Sequence, residues 1–267
     1  MRKYYTIASI AWQKAMVWRL NTLLEMFGYV ATMLIAIALW RFAFLHSNQQ
    51  TIAGYTMQEM TLYLLVAGWL TSSLWFTAQG DRVAHEIKDG ELSNYLVKPV
   101  RISWYHFIYG STGKISQFIL SSTTFIIALF VFRLYTYLGT TSLNIIGFVL
   151  FFALAWLIQW LIFYISALLA FWMEEVWGQL FVVRVLADVA AGTFLPLSLF
   201  APFWQNVFDV LPFKYIVSVP VNVLMGRVEG VELMSLFIGA FTWFIVLFLL
   251  MHVVLKRGIK HYSAVGG

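Results

Sequence analysis

Six stretches of this 267-residue chain stay apolar for about the length that a helix needs to cross a bilayer, and nothing else in the sequence constrains its fold as strongly. A hydrocarbon core of about 30 Å takes roughly 20 helical residues at about 1.5 Å each. The runs lie at approximately 23–43, 62–78, 115–132, 143–172, 180–200 and 233–255. In lipid every backbone N–H and C=O must find its partner within the protein, which leaves helices as the spanning form for runs of this kind. The expectation is therefore an all-α integral membrane protein, a single transmembrane domain over residues 1–267 with six transmembrane helices. The fourth run exceeds one crossing and is expected to tilt or to extend beyond the hydrocarbon. The longest polar connector, about Asp81 to His106, is shorter than the 50 or so residues of a domain with its own core. An appended catalytic module is excluded on that ground.

Orientation follows from the placement of Lys and Arg near the span ends. One side collects Arg2, Lys3, Lys14, Arg19, Arg82, Lys88, Lys98, Arg101, Lys114, Lys256, Arg257 and Lys260; the other has Arg41, Arg133, Lys214 and Arg227. Both termini are expected to be cytoplasmic, in a multi-pass protein of the cell (inner or plasma) membrane. Ala36-Ile37-Ala38 imitates a signal-peptide cleavage site, but a long basic tail precedes it and its removal would upset the even number of spans, so a signal-anchor helix fits better. Residues 4–18 place Tyr5, Ala8, Trp12, Ala15 and Met16 at helical spacing, which predicts an N-terminal interfacial helix; the alternative is one long helix continuous with the first span.

Two connectors carry the information. DRVAHEIKDGELSNYLVKPVRISWYHF mixes charges with Val83, Ile87, Leu92 and Leu96, and predicts two short amphipathic helical pieces around Gly90, the second stopped by Pro99. Such an element lies on the membrane or seats in a partner's groove, and the plain alternative is a solvated loop. From Ala191 to Arg227 the chain holds Pro196, Pro202, Pro212 and Pro220, four of its five prolines. That density prevents a continuous span, yet the segment is too apolar for a free loop, so short helices in a re-entrant or interfacial arrangement are expected. Trp204, Phe203, Phe208 and Tyr215 in this stretch suit an aromatic belt or, alternatively, the lining of a substrate route.

On these residues the chain resembles the permease subunits of type 2 ABC exporters, in particular the drug and multidrug efflux branch. Glu86, Gly90, Glu91, Leu92, Tyr95, Leu96 and Pro99 fall where that family has a cytoplasmic coupling helix between its second and third spans. Leu195, Pro196, Leu197, Phe200, Pro202, Trp204, Leu211, Pro212, Phe213, Pro220 and Gly226 fall where it has an outward-facing re-entrant stretch between spans five and six. The resemblance implies a dimeric pore made with a second permease, the same or a homologous chain. Its interface would run through spans one and five. It also implies two copies of a separate ABC ATPase subunit that binds ATP and Mg, and export of a hydrophobic or amphipathic substrate. No cofactor would be bound by this chain.

The remaining chemistry is sparse. Gly110-Ser111-Thr112-Gly113-Lys114 hints at a phosphate loop, but Ile108 and Ile115 stand where the G-x-x-x-x-G-K-[ST] pattern requires Gly and Ser or Thr. It reads instead as the basic start of the third span. Arg184 and Asp188 lie four apart within the fifth run, on one helical face, where they either neutralise each other or serve gating or proton coupling. Glu174 and Glu175 belong to the end of the fourth run, and Glu25 to the start of the first as a partner for Arg19 or Lys14. The five histidines, His46, His85, His106, His252 and His261, lack ligand spacing, and with no cysteine no metal or thiol chemistry is expected. The alternatives to an ABC permease are an ATP-independent carrier or channel, and an integral membrane enzyme acting on lipids.

Overall fold

A computed structural model describes the chain except Met1, Trp18, Asn48, Val97–Pro99, Thr140, Glu174 and Ser263–Gly267. The side chains of Arg2, Arg19, Asn21, Thr22, Glu25, Met26, Tyr29 and Leu96 also lie outside what is described. The described residues form helices: α1 (Arg2–Val17), α2 (Arg19–Ser47), α3 (Met57–Leu74), α4 (Thr77–Lys88), α5 (Ser93–Leu96), α6 (Ile102–Val131), α7 (Ser142–Leu168), α8 (Trp177–Ala190), α9 (Pro202–Val210), α10 (Ser218–Leu224) and α11 (Gly230–His261). Short 3₁₀ turns at Leu134–Tyr137, Leu169–Phe171, Leu197–Leu199 and Pro212–Tyr215 join them.

Five stretches are long and apolar enough to cross a membrane: Val30–Ser47 of α2, Met57–Lys88 of α3 and α4 together, α6, α7 with its 3₁₀ extension to Phe171, and α11. A sixth is reached when α9 is counted with the segment Pro212–Leu224, across a bend of 75°. This is the all-α membrane protein that the apolar runs predict. Individual extents differ. The fifth run, expected over 180–200, forms a helix only to Ala190. The 14 residues of α8 rise about 21 Å, short of a full crossing. The chain then turns at Gly192, whose φ of +78° is left-handed. The third helix begins thirteen residues before its apolar run, so Gly110–Lys114 lies well inside α6. There the amides point along the helix and make no cradle for a phosphate.

Local chemistry explains several ends. Thr56 and Glu59 form a capping box at the start of α3, the Thr56 hydroxyl accepting from the Glu59 amide at 3.3 Å and the Glu59 carboxylate from the Thr56 amide at 2.8 Å. Pro202 and Pro212 each occupy the first turn of their helices, where a missing N–H costs nothing. Pro220 sits in the first turn of the short α10 for the same reason.

The α3–α4 stretch and α7 make the centre. α2 and α6 pack on α3, α10 and α11 on α7, and α1 on α6. Trp69 of α3 anchors the interior: its ring stacks on Phe125 at 4.6 Å and 9° and lies over Phe148 and Phe152, while its Nε1 donates to Ser122 Oγ at 3.0 Å. Ser73 and Ser121 meet at 2.9 Å, the small hydroxylated contact by which helices associate in lipid. The predicted N-terminal helix is present as α1. It turns Ala11, which is buried, toward the neighbouring helices, and leaves Tyr5, Trp12 and Met16 of the sequence stripe exposed.

Contacts sort the elements into two ends. The first gathers α1, α4, α5, the start of α6 and the far ends of α7 and α11; Phe171 meets Tyr262 there at 5.9 Å between ring centres. The second gathers the connectors after α2 and α6 with α9 and α10, tied by the Gly139 amide donating to the Leu224 carbonyl at 2.8 Å.

Candidate functional site

At the first end, α4 and α5 make an elbow around Gly90, whose φ is +77°. These are the two helical pieces that the sequence places on either side of that glycine. The elbow is stitched by the Leu92 amide donating to the Glu86 carbonyl at 2.9 Å, and by the Ser93 hydroxyl donating to the Gly90 carbonyl at 2.8 Å. His85, Asp89, Glu91 and Asn94 are exposed on it. Glu86 and Leu92 are not, being 6% and 1% exposed. Pro99 lies outside the described residues, and Leu96 is described by its backbone within α5.

Glu86 is instead the centre of a buried polar network. Its Oε2 lies 2.9 Å from His106 Nε2 and its Oε1 3.1 Å from Arg82 Nε, one turn back along α4. The other nitrogen of His106, Nδ1, meets the Tyr164 hydroxyl of α7 at 3.2 Å, and Gln79 donates to the His106 carbonyl. The Arg82 guanidinium also covers the Tyr109 ring at 3.9 Å. Tyr95 closes the network by donating to Glu86; burial pushes its hydroxyl well above the ordinary phenol range, so it stays a donor. Four helices, α4, α5, α6 and α7, are thereby tied together around one buried carboxylate. The Arg82–Glu86 pair went unread in the sequence, although its spacing of four on one helix was a signal that could have found it. His106 and Tyr164 had no such signal, since their partnership spans 20 and 58 residues of chain.

On α8, Arg184 Nε and Asp188 Oδ2 stand 3.9 Å apart, a loose pair with side chains 42% and 13% exposed. Both line a cleft of about 160 Å³ between α2, α3 and α8, with Met33, Thr71, Trp75 and Thr193 among its walls. Glu175 is exposed, while Glu174 lies outside the described residues.

At the second end, the proline-rich segment is two short helices laid at an angle, as its composition predicts. Pro196, Pro212, Tyr215 and Pro220 are buried, Phe213 is half-buried and Pro202 is exposed. Trp204 is 50% exposed and stacks on Phe208 at 6.0 Å. Two connections fasten this segment to α3 and to the turn that precedes it. The Tyr63 hydroxyl donates to the Gly192 carbonyl at 2.7 Å, and the Tyr55 hydroxyl to Asn222 Oδ1 at 2.8 Å. Burial raises the Tyr55 hydroxyl above its usual range. Arg227 completes the fastening, its Nη2 2.8 Å from Glu59 Oε1 and 2.9 Å from the Gly54 carbonyl, with its guanidinium 3.8 Å above the Tyr55 ring. None of this was visible in the sequence, where Arg227 reads as one of four scattered cations. Among the described residues no group of three or more His, Asp or Glu is placed to hold a metal.

A comparison with characterised proteins finds no match for the chain. A family model described as ABC-2 family transporter protein matches residues 28–266, which contain the elbow, the buried network and the proline-rich segment. The chain belongs to the ABC-2 transporter family, as a multi-pass membrane permease subunit of an ABC transporter.

Proposed function

We propose that this permease works as an exporter of a hydrophobic or amphipathic substrate, in the manner of the drug and multidrug efflux branch. It pairs with a second permease, the same or a homologous chain, and is driven by two copies of a separate ABC ATPase that binds ATP and Mg. The first end, with both termini, is cytoplasmic in the cell membrane, as its excess of Lys and Arg favours. The second end faces outward.

One observation carries this reading: the α4–α5 elbow has a polar outer edge and an inner edge wired to α6 and α7 through Glu86, His106 and Tyr164. A push on the elbow is transmitted because the network joining it to the spans is buried and hydrogen-bonded, without slack. His85, Asp89, Glu91 and Asn94 are the residues that meet the ATPase. Glu86, Leu92 and Tyr95 carry the load behind them, and Gly90 makes the bend. A permease–permease interface through α2 and α8 is supported by the apolar side chains they expose, including Leu34, Ile35, Leu39, Phe181 and Leu186. The cleft at Arg184 and Asp188 lies between those two helices, and an exposed guanidinium at that depth is stabilised once a partner or substrate covers it.

The test is affinity purification of the tagged chain from its native membrane, with mass spectrometry and a vanadate-sensitive ATPase assay. An ATP-binding protein is expected to co-purify. D89K and E91K are expected to weaken its recovery while permease abundance in the membrane holds. An isolated chain without ATPase in several detergents, or full recovery and transport in both variants, would overturn the reading.

A further inference from the structure

A second cleft, of about 210 Å³, opens between α6, α7 and α11. α2 and α8 contribute nothing to its walls, so it lies apart from the face proposed for pairing. Its chemistry is graded along its length. Because α6 runs from the first end toward the second while α7 and α11 run back, Arg101, Ser103 and His252 all fall at the first end, and Phe107, Leu157 and Phe244 lie deeper. From Phe244 to His252 the wall is about 12 Å long, most of one leaflet's share of the hydrocarbon.

The polar end is prepared for an anion. Arg101 is exposed and makes no ion pair among the described residues. The first turn of α6 that it precedes has no side-chain cap, so backbone N–H groups are available beside it. On α11, Lys256 and Lys260 continue the face of Phe248 and His252, and both are exposed. His252 is fixed in place by its Nδ1 donating to the Phe248 carbonyl at 2.9 Å. The apolar end is aromatic: Trp160 lies edge-on to Phe107 at 5.1 Å and flat on Tyr164 at 4.8 Å. Trp160 is 5% exposed, so its ring forms a fixed, closely packed wall of the cleft.

We infer that this cleft binds one anionic phospholipid, its phosphate at Arg101 and the start of α6 and one acyl chain along Phe107, Leu157 and Phe244. A free anion would use the polar end and leave the aromatic walls without a role; a neutral lipid would do the reverse. The cations of α11 extend the attraction to an anionic headgroup.

The test uses the purified full chain in a neutral detergent, mixed with equal amounts of phosphatidylglycerol and phosphatidylcholine of identical acyl chains, with the adducts resolved by native mass spectrometry. One phosphatidylglycerol is expected to be retained in preference. R101Q and K256Q are each expected to lower that preference about fivefold, the effect of one surface cation on an anionic lipid. L157W, which fills the cleft and leaves the cations, is expected to reduce retention of both lipids. Inorganic phosphate in excess is expected to displace neither. Equal retention of the two lipids, an unchanged preference in both charge variants, or displacement by phosphate would overturn the inference. Since Arg101 and Lys256 are exposed, both variants can be checked for a monodisperse fold, and K256Q with L157W suffices should R101Q fail that check.

Discussion

Glu86 shows how one side chain holds several elements. Its carboxylate is buried between a guanidinium, an imidazole and a phenol, and removing it leaves Arg82 and His106 without their anion in a low-dielectric interior. Breaking one side of a buried pair typically costs about 3–5 kcal/mol. E86A is therefore expected to lower the thermal unfolding midpoint in detergent clearly, and E86Q to do so less, because the amide still accepts from His106. If E86A and the parent chain melt together, the network is not holding the elbow. Gly192 makes a second case. A Cβ there would stand 2.7 Å from the Tyr63 hydroxyl, on a backbone whose φ of +78° already disfavours a side chain. G192A is expected to cost more than about 1 kcal/mol, and Y63F in the same chain to recover part of it by removing the clashing oxygen. Equal midpoints for G192A with and without Y63F would exclude that clash. Arg82 and Glu86 could have been read as neighbours from their spacing of four on one helix, a signal that went unread. His106, Tyr164 and Tyr63 depended on helices meeting, which no local pattern encodes.

The fifth apolar run was the element that hydropathy misjudged. Its averages continue past Ala190 because the turn that ends α8 is itself apolar: Ala191, Gly192, Phe194 and Leu195 follow, with Pro196 as the one firm helix breaker. The proline-rich stretch beyond it was legible as short helices, since prolines at that density leave no room for a long one. Which of its residues face inward was decided by α10 packing on α7 and α3. Because the chain has no cysteine, single cysteines report on this directly. Cysteine in place of Trp204, half exposed on α9, is expected to react with an impermeant maleimide added to intact cells, whereas cysteine in place of Val221, fully buried on α10, is not. Labelling at Val221 without labelling at Trp204 would reverse the assignment of faces.

Across the whole molecule, hydropathy does not report burial. α11 is the most apolar of the five spanning stretches and among the least buried, the α3–α4 stretch is the least apolar and the most buried, and α7 is both strongly apolar and largely buried. A soluble protein would show the reverse. In lipid the outer helices must be apolar all round, while the central one carries Thr71, Ser72 and Ser73, whose hydroxyls find protein partners. The same architecture brings α1 and the end of α11 to one end and α9 to the other. Cysteines replacing Lys3 and Lys260 are accordingly expected to be labelled from one common side of the membrane, opposite to the side that labels Trp204→Cys; labelling of Lys3→Cys and Lys260→Cys from different sides would refute it. By itself the sequence determined that this chain lives in a membrane as helices, roughly where they run and which end is basic, because backbone hydrogen bonding in hydrocarbon leaves so few solutions. Only the tertiary structure decided that α3, α4 and α7 are central, that α8 stops short, and that Glu86 and Leu92 face inward. Lipid and protein interior are equally apolar, so hydropathy cannot tell a helix that faces one from a helix that faces the other.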